Sequence, residues 1–183
     1  MNNALGNLHG TQLLIEAISF AAHKHRDQRR KDAGASPYIN HPIQLARVLT
    51  IEGNVTDEKV IVAAILHDTI EDTETTDEEI RQTFGAAIAD IVAEVTDDKD
   101  LPKHERKQLQ IDHAPHASTE AKLVKLADKI CNVRDLAGSP PVGWDLPRRQ
   151  EYFDWAKLVV DGLRGVSPAL EKAFDHAYSL RPN

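Results

Sequence analysis

Val60-Ile61-Val62-Ala63-Ala64-Ile65-Leu66-His67-Asp68-Thr69-Ile70-Glu71-Asp72 is the stretch on which the reading of this chain turns. Its first seven residues are apolar with no polar face, a pattern that suits a helix in the middle of a core. Asp57, just ahead, has the side chain of an N-cap. The apolar run leads directly into His67, Asp68, Glu71 and Asp72, at i, i+1, i+4 and i+5, which share one narrow face of a continuing helix. Two Asp, a Glu and a His at a half-buried helix end are costly unless something positive compensates them. A divalent cation would do so. His67 offers imidazole nitrogen and Asp68 carboxylate oxygen, a mixed set suited to Mn, Fe, Co or Zn. The plain alternative is a His-Asp pair that merely ends a core helix, with Glu71 and Asp72 in solvent. For the dipeptide alone it is the commoner case.

Outward from this stretch the periodicity is helical everywhere. Leu13, Leu14, Ala17, Ile18, Ala21 and Ala22 form one apolar stripe. Pro42 suits the first turn of a second helix carrying Ile43, Ala46, Arg47 and Leu49. Thr76 and Glu79 have capping-box spacing for a helix that Gly85 would stop. Further helical stretches run roughly 86–96, 103–114, 119–136, 148–163 and 168–179. Ala137 to Pro147 is the longest irregular piece and reads as a surface loop. No alternating strand pattern, repeat or low-complexity segment appears. The expectation is an all-α fold of about eight to ten helices, one domain over 1–183 with its core at about 11–180.

Two further polar groups keep company with His67 and Asp68. His41, in Tyr38-Ile39-Asn40-His41-Pro42, stands at a helix entrance where a side chain can point back into a cleft. Asp128 stands in a strongly apolar helix, where an unpaired Asp would be expensive. Asp128, Asn132 and Asp135 follow i, i+4, i+7 spacing, a polar stripe on an otherwise buried helix. Two internal helices with acidic stripes and a His at a third helix start make a site. A core salt bridge explains one of these features but hardly all three.

Composition narrows the function. Length 183 with 41% hydrophobic and 28% charged residues is a globular balance. A net charge of −7 leaves no broad electrostatic footprint for nucleic acid, so an anionic ligand needs a local basic pocket. The single cysteine, Cys131, excludes an internal disulfide and a multi-cysteine zinc site, and reads as a small core residue. Met1 to Gly10 lack a basic, apolar leader, and no apolar run approaches a membrane span of about 18 residues. The expectation is a cytoplasmic protein without a membrane partner. The remaining histidines, His23 and His25 among them, read as polar-side or surface residues.

His41, His67-Asp68 and Asp128 match the H…HD…D pattern of the HD-domain metal phosphohydrolases. The stretches His25–Lys31, Tyr38–Pro42, His67–Asp72, Glu94–Lys99 and Lys122–Leu136, with the Trp144 loop and Glu151–Trp155, resemble the hydrolase domain of the RelA/SpoT alarmone enzymes. The nearest likeness is to stand-alone small alarmone hydrolases of the metazoan SpoT-homologue type, over roughly 15–180. The resemblance implies an HD-domain helical bundle that removes the 3′-pyrophosphate of ppGpp or pppGpp, releasing pyrophosphate and GDP or GTP. It implies one divalent ion, Mn²⁺, on His41, His67, Asp68 and Asp128, and a catalytic pair Glu71 and Asp72 near the attacking water. It further implies Arg30 and Lys31 facing the cleft and Asn132 contacting ligand, with Lys103, Arg148 and Tyr152 near the nucleotide and phosphate pocket. Two alternatives stand beside it: a broader nucleotide phosphohydrolase such as an NADPH 2′-phosphatase, and a module that binds an alarmone without cleaving it.

Overall fold

A computed structural model describes residues 8–183. The first seven residues, part of the expected domain and of the stretch read as lacking a leader, lie outside the described residues. In chain order the helices are α1 (Thr11–Lys24), α2 (Asn40–Arg47), α3 (Glu58–Leu66), α4 (Thr69–Asp72), α5 (Asp77–Phe84), α6 (Ala86–Val95), α7 (Lys103–His113), α8 (Thr119–Gly138), α9 (Leu146–Leu163) and α10 (Pro168–Tyr178). A π-helical turn, Val48–Glu52, continues α2, and a 3-10 turn, Ala114–His116, follows α7. Among the described residues no strand forms, and an isolated antiparallel bridge joins Arg29 to Pro37. The fold is all-α, as the periodicity predicts.

The apolar run sits where its composition demands. Asp57 caps α3 by accepting from the Lys59 amide at 2.9 Å. Val60 and every residue from Val62 to Leu66 are essentially inaccessible. Around α3 pack α1, α2, α6 and α8, so its polar C-terminal end arrives in the interior with it. Thr76 caps α5 by accepting from the Glu79 amide, but the box stays half-made because the Glu79 carboxylate accepts from Lys24 instead; Gly85 ends α5 with φ 89°, a left-handed value that favours glycine. Ser118 caps α8, which packs against α2, α3, α6, α9 and α10.

Three details differ from the sequence reading. The polar residues after Leu66 do not continue one regular helix. The backbone stays helical through His67 and reaches φ −97°, ψ 0° at Asp68. Side chains take the carbonyls left over there: Thr69 Oγ1 donates to Leu66 O at 2.7 Å and His67 Nδ1 to Ala64 O at 2.9 Å. On α2 the buried side is His41, Pro42 and Leu45, continued by Val48 and Leu49, whereas Ile43 is exposed. A helix that carries His41 inward turns residues four, seven and eight positions on the same way, which leaves Ile43 outside. The loop read as Ala137 to Pro147 shortens at both ends. The α8 helix runs on to Gly138, and Asp145 caps α9 by accepting from the Arg148 amide at 3.0 Å.

The π turn ends at Gly53 because nothing larger fits. A Cβ there would lie 2.8 Å from Leu49 O and 2.9 Å from the Leu170 side chain of α10. Gly53→Ala therefore costs about 1–3 kcal/mol by overpacking. For a domain of this size that lowers the thermal midpoint by roughly 3–10 °C, read from a melting curve.

Candidate active site

Three of the four expected ligands converge. His41 from α2, His67 from the α3–α4 break and Asp128 from α8 each offer a ligand atom within 4.8 Å of the other two. His41 Nε2 lies 3.2 Å from Asp128 Oδ1, and the His41 and His67 rings stand 5.4 Å apart. Because His67 Nδ1 donates to the Ala64 carbonyl, Nε2 is the ring atom that faces the site.

Asp68 stands beside this trio, in contact with His67: its Oδ2 is 2.9 Å from His67 Nε2. Burial by itself pulls the His67 imidazole down, but the Asp68 and Asp128 carboxylates outweigh it and raise it to about 9. The His67 and His41 imidazoles, against the effect of burial, hold the Asp68 carboxyl below its ordinary range. The two side chains thus stand as a close ion pair, a contact that a cation binding here would replace. The donor set, two imidazoles and half-buried carboxylates, fits a divalent ion.

Further residues brace these carboxylates. The Tyr38 hydroxyl donates to Asp68, and burial beside that anion pushes the phenol far up. His25, read from sequence as a polar-side residue, is buried against the Tyr38 ring at 4.8 Å and donates from Nδ1 to Gln28. Its position at the C-terminal end of α1, where the chain turns into the site loop, explains the reversal. Asp128 accepts from Lys129 Nζ at 2.9 Å and from Asn132 Nδ2 at 2.6 Å. Against burial, Lys129 above all holds the Asp128 carboxyl well below its usual range. Lys129 is itself buried, its ammonium 4.6 Å from the Trp155 ring centre. Tyr38, His25 and Lys129 are the positions that reading for ligands alone passes over. The signal in the sequence was a Lys inside an apolar helix next to Asp128.

Glu71 and Asp72 point in different directions. Asp72 lines the main cleft and accepts from Lys99. Glu71 is not among the residues lining that cleft; its carboxylate meets the Asp97 amide at 3.4 Å and Arg106 Nη1 at 3.6 Å. Asp97 and Arg106 line a second cavity of about 410 Å³. Burial, followed by the charges of Asp68, Asp97 and Asp72, raises the Glu71 carboxyl to about 7.

The main cleft, about 650 Å³, is bounded by Arg30, Lys31, Tyr38, His41, Asp72, Asn132 and Tyr152. Arg30 is tethered across it to Asp135 at 2.5 Å, which gives the third residue of the α8 stripe its partner. Lys103 and Arg148 are not on this cleft. They line a neighbouring cavity of about 330 Å³ that shares Trp144 and Tyr152 with it.

A family model described as an HD domain matches residues 17–151. The chain belongs to the HD-domain family. Among relatives of this HD-domain chain, the Danio rerio protein named guanosine-3′,5′-bis(diphosphate) 3′-pyrophosphohydrolase MESH1 is 56% identical over 175 residues, 96% of this chain and 97% of the relative. The Homo sapiens protein of that name is 57% identical over 168 residues, 92% of this chain and 94% of the relative. A solved structure described as a metazoan ortholog of SpoT that hydrolyzes ppGpp superposes with TM-score 0.91 at 47% identity, covering 95% of this chain and 98% of the other. HD domains are metal-dependent hydrolases, and His41, His67 and Asp128 are a possible metal site.

The raised Glu71 carboxyl has a consequence for stability without metal. Between its ordinary value of 4.5 and about 7, the unfolded chain has released this proton while the folded one keeps it. Glu71 therefore makes folding less favourable as pH rises through that window, with the full penalty above it. Glu71→Gln should melt several degrees higher than the parent at pH 8 and show no advantage at pH 4, both measured with chelator present.

Proposed function

We propose that this protein is a metal-dependent 3′-pyrophosphohydrolase of guanosine alarmones, converting ppGpp or pppGpp and water to GDP or GTP and pyrophosphate. One observation carries the reading: in a chain so similar to proteins bearing that name, His41, His67 and Asp128 offer ligand atoms within 4.8 Å of one another, and α4, just after His67, carries an intact Glu71-Asp72 pair. Residues from about 11 to 180 work as one hydrolase domain in the cytoplasm. No described helix is long and apolar enough to cross a membrane.

His41, His67, Asp68 and Asp128 would hold one divalent ion, Mn²⁺. Bound there, it would supply a lowered pKa for water and polarisation of a phosphoryl oxygen. Tyr38 keeps Asp68 oriented, while Lys129 and Asn132 do the same for Asp128. Glu71, with a carboxyl poised near neutral pH, takes a proton from the attacking water, and Asp72 orients that water from the cleft side. Water oxygen bonds to the phosphorus carried by the ribose 3′-oxygen. The bond from that phosphorus to the ribose oxygen breaks, and the ribose oxygen leaves with a proton. Arg30 stacks its guanidinium on the purine, and Lys31 meets phosphate from the cleft mouth. Asn132 contacts the ligand beside Asp128. Lys103, Arg148 and Tyr152 receive the outer phosphates in the adjoining basic cavity.

A product assay tests this. The protein is stripped of metal and given ppGpp with and without Mn²⁺, and products are resolved by anion exchange. Metal-dependent release of intact pyrophosphate with GDP is expected. Single phosphates instead would make it a general phosphatase, and faster dephosphorylation of NADPH than of ppGpp would favour the 2′-phosphatase. Bound but uncleaved ppGpp would leave a binding module. Glu71→Gln should lower kcat by about 10²–10⁴-fold, the range of a general base, while nucleotide still binds in a titration.

A further inference from the structure

The helix α7 has no fully buried residue; besides Ile111, which packs on the core, four of its polar side chains reach the two smaller cavities. Lys103 and Lys107 line the small basic cavity, and Arg106 and Gln110 line the cavity beside Glu71. These are two i, i+4 pairs on neighbouring stripes of one helix, so a single docked element reaches both places. The docking is polar: Trp155 Nε1 donates to Lys107 O at 3.1 Å, Gln110 donates to Asp97, and the Lys107 ammonium lies 4.9 Å from the Trp155 ring centre.

Glu71 is weakly held by everything else. Asp68, Asp72 and Asp97 surround it with negative charge, and Lys125 of α8 donates to the Val95 carbonyl. Among the described residues, Arg106 is the one cation within ion-pair distance of Glu71, and Glu71 is the one carboxylate at that distance from Arg106. The Arg106 Nε is buried without a protein partner, so no competing group fixes the guanidinium elsewhere. With Arg106 on Oε1 and the Asp97 amide on Oε2, both oxygens of Glu71 are oriented from outside its own helix.

We propose that Arg106 is a positioning residue for the hydrolytic reaction: from α7 it fixes the Glu71 carboxylate in the orientation needed to align the attacking water. The inference rests on the reading of Glu71 given above. It acts on the chemical step and not on nucleotide affinity, because Arg106 lines the second cavity, beside Glu71, and is not among the residues that bound the main cleft.

Steady-state kinetics on the Mn²⁺-loaded full chain with ppGpp test it, using Arg106→Ala, Arg106→Lys, Glu71→Gln and the Arg106→Ala/Glu71→Gln double variant. Arg106→Ala should lower kcat by about 10²-fold, the effect of a misplaced catalytic group, with KM within about threefold. Arg106→Lys should recover part of the loss, and so should methylguanidinium added to Arg106→Ala. Adding Arg106→Ala to Glu71→Gln should cost nothing further, because a residue that acts through Glu71 has nothing left to position. A parental kcat in Arg106→Ala, a loss confined to KM, or losses that simply multiply in the double variant would overturn the inference. A lowered melting point with no recovery by methylguanidinium would also overturn it, making Arg106 a structural residue. If Glu71→Gln turns over like the parent, the reading of Glu71 fails and takes this one with it. If Glu71→Gln is inactive and Arg106→Ala is not, only the role of Arg106 fails.

Discussion

A carboxylate largely withdrawn from water persists only where donors or positive charge reach it, and this protein is arranged around two such half-buried groups, Asp68 and Asp128. Asp128 draws in Lys129 and Asn132 from its own helix and His41 from α2. Asp68 draws in His67 and the Tyr38 hydroxyl. Lys129 is in turn settled against Trp155 of α9, and Tyr38 against His25 at the end of α1. The compensating groups thus come from different parts of the chain. Satisfying two acids ties those helices together around one point, and the apolar α3 delivers that point to the middle of the core.

The break between α3 and α4 is the second organising feature. A regular helix would have stacked His67 beneath Glu71 and Asp68 beneath Asp72 on one face. With the Ala64 and Leu66 carbonyls capped by His67 and Thr69 side chains, the backbone turns. Asp72 then lines the main cleft, whereas Glu71 meets the Asp97 amide and Arg106. Two adjacent acids are thereby given different surroundings. Glu71 is crowded by burial and like charge, which raises its carboxyl toward neutrality. Asp72 has Lys99. A base near neutral pH is useful in hydrolysis and costly to fold around, the usual tension at a working site.

The polar stripe of α8 performs three tasks in succession along one helix face. Asp128 joins His41 and His67 in the candidate metal site, Asn132 braces Asp128, and Asp135 holds Arg30 across the cleft mouth. Spacing of i, i+4, i+7 puts them in a line, and the cleft runs along that line. Lys103 and Arg148 belong to the adjoining cavity, with Tyr152 and Trp144 as the shared wall.

Sequence by itself determined the helical class, the central place of α3, the caps at Asp57 and Thr76, and the convergence of His41, His67 and Asp128. These follow from local periodicity, from side chains that satisfy nearby amides, and from the expense of isolated polar groups in apolar helices. What only the tertiary structure decided is where each polar group points and which others meet it. The burial of His25, the outward Ile43, the different partners of Glu71 and Asp72, and the reach of Arg106 from an exposed helix depend on contacts between residues far apart in the chain. Such contacts leave no trace in local spacing, because helix periodicity sets the angle of a side chain about its own axis and says nothing of the neighbour waiting there.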